Sequence, residues 1–339
     1  VAELLVAGGG PAGLATALYA ARAGMAVTVR EHRAGVLDKA CGEGLMPGAV
    51  AALAGLGVAP AGQELSGIRY VADGRSVDAS FRAGPGRGVR RTVLHEALRS
   101  AALAAGVRIE QRAVRDVRQD AGGLTVDGER VRWVVAADGL HSPLRRRLGL
   151  EGAPVRHRRF GLRRHFRVEP WTSYVEVHWA TGAEAYLTPV APDLLGVAVL
   201  GTAGRPFDQQ LDAFPTLRDR LAGADAVGEV LGAGPLRQRV RGRVAGRVLL
   251  VGDAAGYVDA LTGEGVALAV RQAAAAVDAI VAGDPQRYEQ EWRAITRRYR
   301  LLTGALLAAS RVGPARQALV PAADRLPGVF AAVVNALAG

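Results

Sequence analysis

The pattern Gly8-x-Gly10-x-x-Gly13 constrains this chain more than any other feature, because of what surrounds it. The apolar segment Glu3–Val6 predicts a strand that runs straight into the glycines. Pro11–Ala23 is alanine-rich and predicts a helix that Gly24 stops. Met25–Arg30, alternating through Val27 and Val29, predicts a second strand, and Glu31 closes it. Gly8 permits a tight turn, Gly10 lets the backbone approach a pyrophosphate, and Gly13 lets the helix pack closely on the strand. The helix opens at Pro11 and Ala12, offering free N–H groups and the positive end of its dipole to phosphate. An acid where Glu31 stands would accept hydrogen bonds from ribose hydroxyls. The glycines alone would prove little in a chain with 44 of them. Strand, helix and acid in that order make a Rossmann-type dinucleotide site.

Bulk properties narrow the classes. At 339 residues the chain has room for about two domains. Half of it is hydrophobic and 22% charged, as in a globular protein. The net charge of +11 comes from arginine spread along the chain, and Lys39 is the only lysine. That spread reads as genome composition, so no nucleic-acid partner is expected, and Arg145–Arg147 and Arg297–Arg298 are expected on solvated helix faces. Cys41 is the only cysteine. It excludes a disulfide within the chain, and no metal site is expected. No apolar run reaches the roughly 18 residues that span a bilayer. The chain enters a strand at its first residues, so a cytoplasmic location without a signal peptide is expected.

Further along, Ala49–Leu56 and Thr92–Ala105 read as helices. Gly67–Phe81 reads as a strand pair turning at Asp73-Gly74. Short strands follow over 107–131, with turns at Gly122-Gly123 and Asp127-Gly128, and Arg132–Ala137 is a buried strand. After Pro154 the texture changes: Phe160–Val168, Tyr174–Trp179, Ala185–Val190 and Leu195–Gly201 predict an antiparallel sheet. Arg247–Val251 returns to the apolar strand style of the opening, and helices follow from Thr262 to the end. The expected fold is α/β. A Rossmann-type first part over 1–154, with inserted strands near 65–82, is interrupted by a β-sheet substrate domain over 155–244. It is completed over 245–339 with a helical C-terminus.

Two later segments specify the dinucleotide. Ala136-Ala137-Asp138-Gly139-Leu140-His141-Ser142 follows one strand, and Val251-Gly252-Asp253-Ala254-Ala255-Gly256 follows another. With the N-terminal loop they resemble the three fingerprints of the p-hydroxybenzoate-hydroxylase-type FAD-dependent oxidoreductase superfamily. The resemblance implies that Gly8, Gly10, Pro11, Ala12, Gly13, Glu31 and His32 bind the ADP half of FAD. It implies a backbone contact from Val114 to adenine, and contacts from Arg91 to the phosphates and ribityl. It places Asp138, Gly252 and Asp253 in the site, with Asp253 on the ribityl chain or a pyrophosphate-bound water. NAD(P)H would be a transient reductant, since no second glycine loop follows a strand.

Asp38-Lys39-Ala40-Cys41-Gly42-Glu43-Gly44 and Thr262-Gly263-Glu264-Gly265 resemble the geranylgeranyl-reductase branch of that superfamily. There Gly263 and the N–H groups of Gly265 and Val266 would face the flavin N1/O2 edge and stabilise negative charge. Cys41 and Glu43 would lie near the flavin ring, with Glu43 a general acid or an orienting group. A small buried filler at Cys41 and a loop cap at Glu43 are equal readings. Lys39 either pairs with Asp38 or phosphate or has no special role. The branch's Trp-x-Phe-Pro-type strand corresponds here to Tyr186-Leu187-Thr188-Pro189-Val190, without the tryptophan, and the paired tryptophans of flavin halogenases are missing too. Tyr186, His178 and His165 sit on predicted strands that could aim them at a substrate. Tyr257 could line the pocket, whereas Trp179 and Phe166 read as core. The preferred expectation is a monooxygenase acting on a small hydrophobic or aromatic metabolite. Its rivals are an olefin or isoprenoid reductase, with peripheral membrane contact, and a non-catalytic binder of the same fold.

Overall fold

A computed structural model describes residues 2–120, 123–156 and 158–339. Its centre is a six-stranded sheet in the order Val244–Ala245, Val248–Leu250, Trp133–Ala136, Leu4–Ala7, Val27–Glu31, Arg108–Gln111. All neighbours are parallel except the first pair. Leu4–Ala7 and Trp133–Ala136 are buried at every position, as central parallel strands covered on both faces must be. Helix Pro11–Arg22 lies on this sheet and packs against helices Arg91–Ala104 and Gly265–Val281. The expected turn at Asp127-Gly128 is present, with positive φ at both residues. Gly122, half of the other expected turn, lies outside the described residues.

The second sheet has seven strands, in the order Asp225–Ala233, Phe160–Arg167, Leu194–Gly201, Ala183–Ala191, Tyr174–Ala180, Gly67–Ala72, Arg75–Ser80. It is antiparallel except where Tyr174–Ala180 meets Gly67–Ala72. The 67–80 hairpin, far away in sequence, is therefore hydrogen-bonded into the sheet of the interrupting segment. One face of this sheet carries Ala185, Leu187, Val197 and Val199 and is covered by the short helices Phe207–Leu211 and Pro215–Arg220. The other carries Val175, Val177, Tyr186 and Ala198 and packs against the C-terminal helices through Val320, Phe330 and Val334.

A small third sheet joins the two. Gly86–Gly88 lies between Gly44–Leu45 and Gln63–Leu65. A Cβ on Gly88 would fall 1.7 Å from the Pro189 carbonyl oxygen, so only glycine lets this sheet touch strand Ala183–Ala191. The contact holds the loop containing Cys41 and Glu43 under the larger sheet.

Candidate functional site

The phosphate loop is built as its residue types require. Gly8 has φ of +110°, and a Cβ there would lie 2.4 Å from the Ala137 carbonyl oxygen. A Cβ on Gly13 would lie 1.9 Å from the Gly8 carbonyl oxygen. At Gly10 nothing stands within 4 Å, so the loop opens into free space at the helix N-terminus, which Pro11 begins. Glu31 accepts from the Gly9 N–H at 3.0 Å and pairs with Arg33. Burial pushes its carboxyl up, but Arg33 and the Gly9 amide overcome this and bring it down to about 2. His32 points outward and lies 3.1 Å from the same carboxylate. Val114 is half-buried against the core.

His95, which sequence reasoning passed over, locks this loop. Its Nδ1 accepts from the Leu37 N–H at 3.1 Å, which leaves the proton on Nε2 to be donated to the Gly9 carbonyl at 3.0 Å. Burial holds its pKa below the usual histidine value, so the ring is neutral at pH 7. A histidine inside an ordinary helical pattern carries no signal of this.

The three glycine motifs converge. A Cβ on Gly252 would sit 2.7 Å from Ala12 Cβ, so the third motif rests on the first helix turn. Arg145 lies between the second and third motifs, donating to the carbonyls of Leu140 (3.0 Å) and Ala254 (3.2 Å). It is fully buried, against the expectation of a solvated face, because those carbonyls need a donor that water cannot supply. Asp138 accepts from the Leu144 N–H at 3.0 Å and so caps the following turn, while its other oxygen has no partner among the described residues. The Asp253 carboxyl is raised by burial, against the lowering charges of Lys39, Arg91 and Arg145. Arg91 is buried with one guanidinium N–H unpartnered among the described residues. Lys39 does not pair with Asp38: its Nζ stands against Gly139, with Arg91 and Asp253 as charged neighbours. A glycine cradle beside open space, an orphaned buried guanidinium donor and a lone ammonium fit the pyrophosphate and ribityl of FAD.

Beyond this cleft, Glu43 is fixed at every atom that can bond. Its Oε1 accepts from the Arg91 N–H at 2.8 Å and its Oε2 from His165 at 2.7 Å. Its carbonyl accepts from the Val89 N–H, and its own N–H donates to Cys41 Sγ at 3.3 Å. Arg163 fixes the tautomer of His165. A guanidinium only donates, so Nδ1 accepts from Arg163 at 3.1 Å and the Nε2–H goes to Glu43. Arg163 also bonds Asp38 and the Lys39 carbonyl. It is 2% exposed, enclosed by these partners. The half-buried Cys41 thiol is raised by burial and by the Glu43 charge, so it is protonated at neutral pH.

Strand alternation sorts the other candidates. Arg163, His165, Tyr186 and Thr188 share the face toward this loop, where Thr188 donates to the Gly42 carbonyl at 2.8 Å. Tyr186 is buried, and its hydroxyl is committed to the Leu261 carbonyl at 3.0 Å. His178 is a correction. Its register partner is Ala185, so it faces the opposite side, where it pairs with Glu176 at 2.9 Å. Trp179 and Phe166 are core, as expected, and Tyr257 packs against the inner cluster.

The Thr262–Gly265 segment meets the Cys41 loop through Met46, whose methyl lies 3.5 Å from a Cβ built on Gly263. Helix Gly265–Val281 begins there, so the Gly265 and Val266 N–H groups are among those with no partner inside the helix, and the space before Gly265 is open. Burial raises Glu264 to about 7, and one of its oxygens is unpartnered among the described residues.

Comparison with known proteins agrees with this geometry. Residues 1–186 match the family model described as FAD binding domain. The chain is 31% identical to the menaquinone reductase of Mycolicibacterium smegmatis, over 86% of this chain and 79% of that protein. It is 27% identical to digeranylgeranylglycerophospholipid reductase 2 of Methanopyrus kandleri, over 78% of this chain and 73% of that one. Among solved structures, p-nitrophenol 4-monooxygenase from Pseudomonas putida superposes with a TM-score of 0.83 at 18% identity. The match covers 100% of this chain and 96% of that one, and at that identity it speaks for the fold alone.

Proposed function

The chain belongs to the FAD binding domain family and is an FAD-dependent oxidoreductase, and from that premise we propose that it reduces a carbon–carbon double bond in an isoprenoid chain. The relatives named for menaquinone and for digeranylgeranyl lipids act on molecules that share a polyprenyl chain. The observation that most supports reduction is the place of the Cys41 thiol, bonded to the Glu43 N–H beside the Glu43–His165 pair. An isolated olefin is unpolarised, so reducing it needs a proton as well as a hydride. Apolar side chains around this loop, among them Met46, Val175, Val177 and Leu261, suit a hydrocarbon substrate.

When bound, FAD reduced by a nicotinamide nucleotide would supply the hydride. Cys41 then gives its proton to the second carbon, the π bond being replaced by two C–H bonds. The Arg91 and Arg163 charges stabilise the thiolate that remains until it takes a proton from water. Glu43 is an orienting group here, because both of its oxygens already accept. Thr188 and Tyr186 hold the sheet against the loops. Hydroxylation, favoured by the sequence alone, retains the support of a shared fold and nothing more specific. Cys41→Ala and Cys41→Ser are the tests. With FAD occupancy unchanged, turnover should fall roughly 10²–10⁴-fold, the usual worth of a general acid. Unchanged turnover would make Cys41 a packing residue.

A further inference from the structure

Behind the Gly252–Gly256 segment lies a second cavity, of about 310 Å³, at the small end of the range for small-molecule sites. It shares Gly252, Asp253 and Gly265 with the candidate cofactor cleft, but no residue of the phosphate loop or of the Cys41–Glu43 loop lines it. Four arginines do: Arg237, Arg239, Arg243 and Arg300. Arg243 is neutralised by Glu289 at 2.8 Å. Among the described residues, the side chains of Arg237, Arg239 and Arg300 make no ion pair or hydrogen bond. Arg243 and Arg300 flank the same indole, at 3.6 and 5.6 Å from the Trp292 ring. Trp292 is 4% exposed, yet its indole N–H has no acceptor among the described residues.

These are donors without acceptors, and an excess of positive charge over the one lining carboxylate, Asp253, gathered in one concavity. The buried Trp292 N–H is left unmatched at a cost, Arg237 is half-buried, and Arg239 and Arg300 are exposed, so an acceptor-rich anion would meet one buried donor and three unpaired guanidinium groups. A carboxylate would answer one guanidinium fork. Donors on Arg237, Arg239, Arg300 and Trp292 together call for more oxygens than that. We propose that this cavity binds a phosphate-bearing small molecule, with Arg237, Arg239 and Arg300 on the phosphate oxygens and Trp292 donating its indole N–H. The burial and mutual repulsion that lower Arg237 beside Arg239 and Arg311 are what such an anion would relieve. The proposal does not depend on which reaction the flavin site performs.

The test is calorimetric titration of the FAD-loaded protein with inorganic diphosphate at low ionic strength. One saturable site is expected, weakened about tenfold by Arg237→Gln and by Arg300→Gln, the worth of one charge-assisted hydrogen bond. Arg132→Gln, on an exposed side chain elsewhere, should leave binding unchanged. Geranyl diphosphate as a second probe separates two sources of the phosphate. Tighter binding than inorganic diphosphate assigns the site to a lipid-linked phosphate, and equal binding to a free one. The absence of a saturable site would overturn the proposal. So would equal weakening in all three variants, the mark of diffuse charge attraction.

Discussion

Glu43 adopts φ of +60°, a left-handed conformation that non-glycine residues rarely occupy. Such strain persists only where the surroundings over-determine it, and here Arg91, His165, Val89 and Cys41 do so. Glu43 is 3% and His165 1% exposed. Removing a buried hydrogen bond to a charged group typically costs about 1.5–3 kcal/mol, because that group is left short of a partner. His165→Leu is therefore predicted to lower unfolding stability by that order, while His165→Asn recovers part of it; chemical denaturation reads both. A second prediction concerns Glu264. Its folded pKa of about 7 lies above the ordinary 4.5, so the folded state takes up protons between those values. Stability is then lost as pH rises from about 4.5 to 7. Glu264→Gln should abolish that loss and gain roughly 1–2 kcal/mol above pH 7, allowing for solvent screening. An unchanged pH profile of stability would show Glu264 to be solvated. Of these residues, Cys41 and Glu43 were legible in the sequence through their motif. His165 was one strand histidine among two. Nothing in a linear pattern says which face of a strand meets a loop more than a hundred residues away.

At the scale of elements, the first strand, helix and second strand were readable because local chemistry dictates them: apolar strand, glycine turn, alanine helix. The third sheet was not. Gly86–Gly88 reads as loop, and becomes a strand only because Gly44–Leu45 and Gln63–Leu65 lie on either side. Gly88→Ala is predicted to destabilise by about 2 kcal/mol or more, since its Cβ would meet backbone rather than a movable side chain. It should also loosen the Cys41 loop, which raised reactivity of Cys41 toward iodoacetamide would report. Asp225–Ala233 was missed for a related reason. It is a mostly exposed edge strand with Gly228 and Gly232, so it lacks the alternation of a half-buried strand. The phosphate loop gives a pH prediction. His95 has a depressed folded pKa, so its stabilising contribution is complete above about 6.5 and is lost as pH falls further. FAD retention should drop below that pH in the wild-type protein and lose the dependence in His95→Gln, as flavin fluorescence after gel filtration would show.

For the whole molecule, the order of motifs foretold a dinucleotide unit interrupted by a sheet and completed near the C-terminus, and the six-stranded sheet takes strands from both ends of that order. What motif order does not carry is the joining of the 67–80 hairpin to the later sheet, a pairing over more than a hundred residues. Nor does it carry the reaction, which depends on what the inner face of that sheet and the two loops beneath it hold between them. No described helix is long and apolar enough to cross a membrane, and the Cys41–Glu43 loop lies against the inner face of the larger sheet. The central claim is that an isoprenoid double bond is reduced there. The direct measurement is mass spectrometry of menaquinone after anaerobic incubation with the FAD-loaded protein and a reductant, followed by exposure to air. A product that keeps two added hydrogens on its polyprenyl chain is predicted, because a reduced quinone ring alone would reoxidise. An oxygenated product formed only in air, with the chain unchanged under anaerobic conditions, would contradict it.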